Sequence, residues 1–344
     1  MTRLLVASHS NVHIRQQAWW RYVASLGHDV LVVTPGRWGD QVAQASRVEG
    51  LPGSYELRPL SHIGGADQYG FTFLGLGDLM GDFQPDWCYV QQEPESALAD
   101  QVVRQLRGRA PSSCRFALFS WENRKWSERR ETGFFQCPPG VRNLIQSCDL
   151  VVCGNGEAEE IMRDVGAPRT LVGLQVGVDT AHFTARPGVP RTVNVAYIGR
   201  ETPEKGLPLL AQVWPTTERV PWTPWIRLPW EMSRCRVVVT FSLDRPQWRE
   251  QAPNYVTCEA ISTGAAVVTS NGGSIPFWLE HYAGSCPGAY IVQQGRQDHL
   301  KQAIAKLVNN EELRTQMASE GRAWVVEHLG YTAQAKRLLA ALGS

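Results

Sequence analysis

The sequence predicts an α/β protein made of two Rossmann-like halves with helices at its C-terminal end. Three observations carry that expectation. Apolar strand-like runs alternate with helical patterns from residue 4 to residue 174, and a second alternating series starts at residue 193. Between them lies a segment of linker character, Gly177-Val-Asp-Thr-Ala-His-Phe183 followed by Pro187, Gly188 and Pro190. A chain of 344 residues is long enough for two ordinary domains. The expected division is residues 1–185 and 186–344, with the last helix able to pack back on the first domain.

In the first half, residues 4–8 form an apolar strand and 14–26 a helix that ends at Gly27, a residue suited to the left-handed position after a helix. Strands follow at 28–34 and 55–60, then at 87–90, where Pro85 and Asp86 introduce the run Trp-Cys-Tyr-Val. A helix is expected over 96–107, a strand over 115–120 and a short helix over 141–147. A strand at 150–154, a helix at 157–165 and a strand at 170–174 complete the set. The second half reads as a strand at 193–198, a helix at 207–213, strands at 236–241 and 265–270, and a helix at 255–262. Three helices, 297–308, 311–327 and 331–342, close the chain. Pro215, Pro221, Pro224 and Pro229 predict little regular structure between residues 214 and 234.

The formal net charge is +1, so bulk electrostatics makes no case for a nucleic-acid or membrane partner. Eight cysteines are scattered without a C-x-x-C pair or a Cys/His cluster, which suits reduced core residues of a cytoplasmic protein. The apolar run at the N-terminus is too short for a signal sequence, and no run approaches the length of a membrane span. No His/Asp/Glu triplet has metal-ligand spacing, and neither a P-loop nor a Gly-x-Ser-x-Gly motif occurs.

The most informative stretch runs from Arg245 to Pro276. A loop carrying Glu250 leads into a helix carrying Glu259, with Asn254 and Tyr255 between them. An apolar strand follows, then Asn271-Gly272-Gly273-Ser-Ile-Pro276. That places two acids and a glycine turn near the carboxyl end of a parallel strand, where ligands of open α/β sheets bind. Ionised carboxylates only accept hydrogen bonds, so they suit hydroxyl-rich ligands. Upstream, a strand ends in Gly199-Arg200, and Glu204-Lys205-Gly206 precedes a helix. Arginine, lysine and a helix N-terminus together suit phosphate.

In this order the motifs resemble retaining GT-B glycosyltransferases of family 4, closely over residues 177–280 and loosely elsewhere. Gly177-Val-Asp179 with Phe183 resembles the segment that enters the family's second domain, and Gly272-Gly273-x-x-Pro276 resembles its Gly-Gly-x-Pro turn. The resemblance implies two Rossmann-like domains facing a cleft, and a nucleotide-diphosphate sugar as co-substrate with no other cofactor and no metal. It implies that Gly199, Arg200, Lys205, Asn254, Tyr255, Glu259, Gly272 and Gly273 bind the donor and that Glu250 meets the donor sugar. Two departures stand out. The family places seven residues between its two glutamates, whereas eight separate Glu250 from Glu259, so Gln251 competes for the first position. The 214–234 segment is short, and Trp222, Trp225 or Trp230 either stacks on the base or covers the shortened core.

In the first half, Glu122 and Asn123 follow the strand at 115–120 in place of the family's histidine-containing turn. Glu122 is the candidate for contact with the reacting sugars. His9, His13, Glu93 and Asn123 are candidates for the acceptor. The basic, aromatic run from Arg124 to Arg130 is interrupted by Glu128, which favours a solvated loop. Sugar transfer to a saccharide, lipid or small molecule is the leading expectation. A nucleotide-sugar epimerase, a donor-binding pseudo-enzyme and transfer onto modified nucleic acid stand as alternatives, and peripheral membrane contact stays open.

Overall fold

The structure is a computed structural model, and it describes residues 1–43, 55–129, 133, 136–173, 177–253 and 255–343. The chain forms two compact units, Met1–Val176 with Gln334–Ser344, and Gly177–Ala333. The passage into the second unit thus falls at Val176/Gly177, ahead of the proline-rich stretch near residue 185, and the end of the last helix belongs with the first unit.

The first unit is built on seven strands: β1 (Arg3–Ala7), β2 (Asp29–Pro35), β3 (Glu56–Leu60), β4 (Trp87–Val90), β5 (Arg115–Ser120), β6 (Leu150–Cys153) and β7 (Thr170–Val172). They lie in the order β7-β6-β5-β4-β1-β2-β3, and every pairing is parallel. The β-branched and apolar residues of β1, β2, β4 and β6 are buried on both faces, as a parallel sheet covered by helices requires. Leu5, Ala7, Leu31, Val33, Cys88, Val90, Phe116 and Leu118 turn to one core. Helices α1 (Ile14–Ser25), α2 (Leu76–Phe83), α3 (Ala97–Asp100, continued by a π-type turn Gln101–Gln105), α4 (Pro139–Gln146) and α5 (Gly156–Val165) supply the crossovers. The ends of α5 show why the sequence folds there. The Asn155 side chain accepts the Ala158 amide at 2.7 Å, and Gly166 takes the left-handed C-terminal position at φ 97°.

The second unit carries β8 (Val193–Tyr197), α6 (Leu207–Val213), β9 (Glu218–Arg219), α7 (Leu228–Ser233), β10 (Cys235–Thr240), α8 (Tyr255–Ser262), β11 (Ala266–Ser270), β12 (Ala289–Val292), α9 (Gln297–Asn309) and α10 (Glu311–His328). Its parallel sheet has the order β9-β8-β10-β11-β12. The 214–234 segment is more regular than its prolines suggest. It contains β9, a 3₁₀ turn Trp225–Arg227 and α7. Pro229 stands in the first turn of α7, where a missing N–H costs nothing. Helix α2 also escapes the sequence reading, although Leu76, Leu79, Met80 and Phe83 form its buried stripe, because glycines at 75, 77 and 81 read as loop.

Helix α11 (Tyr331–Gly343) ends in the first unit. There Trp87 donates its indole N–H to the Leu342 carbonyl at 2.9 Å, and Arg115 reaches the same oxygen at 3.0 Å. Leu338 and Leu342 are buried. No helix among the described residues is long and apolar enough to cross a membrane. Truncating the buried Leu342 to Ala is expected to cost the first unit about 2–5 kcal/mol, read as a lowered urea midpoint. An unchanged midpoint would mean that the helix end is not part of this core.

Candidate functional site

In the second unit the sequence candidates gather at the carboxyl edge of the sheet. Lys205 and Glu250, 45 residues apart, meet there. Lys205 Nζ lies 2.5 Å from Glu250 Oε2, and both side chains are only 12% exposed. Ser242, just past the end of β10, donates its hydroxyl to the same carboxylate oxygen at 2.6 Å. The Lys205 ammonium also sits 4.9 Å from the centre of the Trp248 ring. The neighbouring residues differ in placement: Glu250 lies beside the lysine, whereas Gln251 is exposed.

Two glycines make the approach feasible. Gly206 adopts φ 66°, and a Cβ there would overlap the Phe241 carbonyl. Gly273 adopts φ 49°, and a Cβ would run into the backbone of Glu250. The Ser274 amide completes the junction by donating to the Glu250 carbonyl at 2.8 Å. The Gly272-Gly273 turn therefore cradles the Glu250 backbone. At the end of β8, Tyr197 donates its phenol to the Arg200 carbonyl, which pins the loop and leaves the Arg200 side chain exposed. Burial, with Glu201 nearby, pushes the Tyr197 phenol up to about 12, so it stays a donor. Gly199 adopts φ 152° beside that phenol.

Glu259 is 2% exposed on α8, and Tyr255 opens the same helix. Asn254 lies outside the described residues. The sequence reading missed Ser242 and Asp244. Both follow β10 at the same edge, and their position after an apolar strand was the signal available. Asp244 is bound to Gln294 through its amide at 2.7 Å and its carboxylate at 2.9 Å.

The three tryptophans of the 214–234 segment separate by environment. Trp225 stacks on His182 at 4.0 Å and 28°. Trp230 lies beneath the Arg186 guanidinium at 4.1 Å. Trp222 is 88% exposed.

In the first unit the candidates form two groups at the corresponding edge. His9 follows β1. Its Nδ1 meets the Gln92 amide nitrogen, and its ring packs 4.7 Å from Trp38 and 5.9 Å from Phe71. Burial, with His13 nearby, lowers its pKa to about 4. The ring is therefore neutral at pH 7. His13 is exposed at the start of α1.

The second group is acidic. Glu93 accepts the Ser120 hydroxyl and the Trp121 amide, both at 2.7 Å. Glu122 accepts the Arg124 amide at 2.8 Å and so caps the segment that follows it. Arg129 joins Glu122 at 3.2 Å to Glu95 at 2.6 Å and lies 4.4 Å from the centre of the Trp126 ring. Asn123 is buried beside them in sequence. Burial, with Glu95 as neighbour, pushes Glu93 up to about 8, and burial also raises Glu122. Among the described residues no group of three or more His, Cys, Asp or Glu side chains is arranged to hold a metal ion.

The raised Glu93 has a definite sign. An unfolded glutamate ionises near 4.5 and the folded one near 8. Between those values the unfolded chain releases a proton that the folded chain keeps, so stability falls as pH rises through that window. Glu93→Gln, which can still accept from Trp121 and donate to Ser120, is expected to flatten the decline in thermal midpoint between pH 5 and pH 9. An equal decline in both proteins would contradict the assignment.

Comparison with known proteins adds the family context. Residues 190–340 match the family model described as glycosyl transferase-like. No curated protein matches the sequence. Among solved structures, HepE of Anabaena in complex with UDP is similar with a TM-score of 0.68 at 15% identity, covering 100% of each chain. Sucrose-phosphate synthase from Thermosynechococcus elongatus gives 0.67 at 13% identity, covering 99% of this chain and 98% of that one. A glycosyltransferase from Rickettsia africae gives 0.66 at 11% identity, with the same coverage. The fold is therefore that of the GT-B glycosyltransferases, with two Rossmann-like units.

Proposed function

We propose that this protein is a retaining, family 4-type glycosyltransferase that moves a sugar from a nucleotide-diphosphate sugar to an acceptor hydroxyl. The observation that carries the reading is the Lys205–Glu250 contact at the sheet edge, with the Gly199-Arg200 turn ending the adjacent strand. The glycosyl transferase-like match over residues 190–340 supports it. HepE of Anabaena, solved with UDP and with UDP-glucose, makes uridine nucleotide sugars the first donors to test.

In this reading the second unit holds the donor. Arg200 and Lys205 take the diphosphate, and they meet the charge that develops on it as the bond from the anomeric carbon to the phosphate oxygen breaks. No cofactor is assigned to that step. Glu250 accepts from the donor sugar's hydroxyls, and Glu259 accepts from the ribose. Because Lys205 is already paired with Glu250, the phosphate enters a site whose charges are positioned before it arrives. The first unit offers the acceptor contacts: the neutral His9 ring, the Asn123 amide, and the carboxyls of Glu93 and Glu122. The acceptor oxygen bonds to the anomeric carbon on the face the diphosphate leaves, and a departing phosphate oxygen takes the hydroxyl proton. No protein nucleophile is needed, and proximity does much of the remaining work. The eight buried, unpaired thiols suit residence in a reducing compartment such as the cytoplasm.

Arg200→Ala and Lys205→Ala test the assignment. Each removes charge-assisted hydrogen bonds worth about 1.5–3 kcal/mol. UDP affinity, read by calorimetry, is expected to fall on the order of ten- to hundred-fold, and turnover with it. A folded double variant with unchanged turnover would sink the proposal. Binding that depends on both residues, without transfer to any acceptor, would leave a donor-binding protein instead of an enzyme.

A further inference from the structure

We infer that Trp222 is the platform on which the donor's nucleobase stacks. The inference rests on the donor-site reading above and deepens it.

Position is the first argument. Strand β9 pairs with β8 in parallel, with Ala196 opposite Glu218 and Tyr197 opposite Arg219. The pairing continues one residue further through the Val220 amide, which donates to the Tyr197 carbonyl at 3.0 Å. Arg219 and Glu201 tie the two chain segments together at 3.7 Å. Trp222, two residues past Val220, therefore leaves the same sheet edge as Gly199 and Arg200.

Availability is the second argument. Trp225 is taken by His182 and Trp230 by Arg186. Trp222 engages no ring or hydrogen-bond partner among the described residues and is 88% exposed. An exposed indole that leaves the same sheet edge as the Gly199-Arg200 turn offers a flat apolar face to an aromatic base.

Stiffness is the third. Pro221 and Pro224 restrict the backbone on either side, and Thr223 donates its hydroxyl to the Pro221 carbonyl at 2.9 Å. A platform already held in place loses little freedom when the base arrives. The short proline-rich segment thus supplies a base contact from a single rigid turn. Stacking reads the face of a base and not its edge, so the same indole serves uracil, guanine or adenine.

The test is calorimetry of wild type, Trp222→Ala and Trp222→Phe with UDP, GDP, ADP and inorganic pyrophosphate. For whichever nucleotides wild type binds, Trp222→Ala is expected to lose affinity by about ten-fold or more. Trp222→Phe should recover most of that loss, and pyrophosphate affinity should not change. Unchanged nucleotide affinity in Trp222→Ala would overturn the inference and leave the donor site standing. An equal loss for pyrophosphate would also overturn it, because the residue would then act on the phosphate pocket. A wild-type protein that binds neither nucleotides nor pyrophosphate would sink this inference and the donor site together.

Discussion

The candidate site depends on one contact, the pairing of Lys205 with Glu250 in a place where both are mostly shielded from water. A shielded charge left alone is strongly destabilising, so the two must arrive together. That requirement reaches far into the second unit. Gly206 must lie against the Phe241 carbonyl to bring Lys205 to the edge, and Gly273 must lie against Glu250 to hold the acid in place. Ser242 must end its strand within reach of the carboxylate. Three strand ends, those of β8, β10 and β11, are thereby tied to a single charge pair.

The first unit handles polar groups at its own sheet edge differently. Burial and acidic neighbours make the Glu93 carboxyl keep its proton well above the usual range, in spite of the two hydrogen bonds it accepts. His9 is packed among aromatic rings and stays neutral. Glu122 and Glu95 share Arg129 as a direct cationic partner. One edge thus presents a fixed ion pair beside an exposed arginine, and the other presents the neutral His9 ring and the protonated Glu93 carboxyl beside the Arg129 ion pairs.

Much of this was legible in the sequence because parallel sheets impose a simple code. Buried apolar runs mark strands, and chemistry follows at their carboxyl ends, which is how Arg200, Lys205, Glu250, His9, Glu93 and Glu122 could be singled out. Glu250 was preferred over Gln251 on the sequence alone, but the reason for its position was not legible. It is set by which side chain the loop turns toward Lys205, and that depends on contacts with Gly273 and Ser274, more than twenty residues away. Helix α2 was hidden because three glycines outweighed a correct apolar stripe. The regularity of residues 214–234 was hidden because proline at the start of a helix is easily mistaken for proline that breaks one. Ser242 and Asp244 were overlooked because a serine and an aspartate after a strand carry no motif of their own.

The most direct measurement is a crystal structure of the protein grown with UDP or a UDP-sugar. The account predicts the diphosphate at the end of β8, with its oxygens within hydrogen-bond distance of Lys205 Nζ and the Arg200 guanidinium, and the sugar against Glu250. A nucleotide bound elsewhere, with Lys205 and Glu250 still paired and untouched, would contradict it.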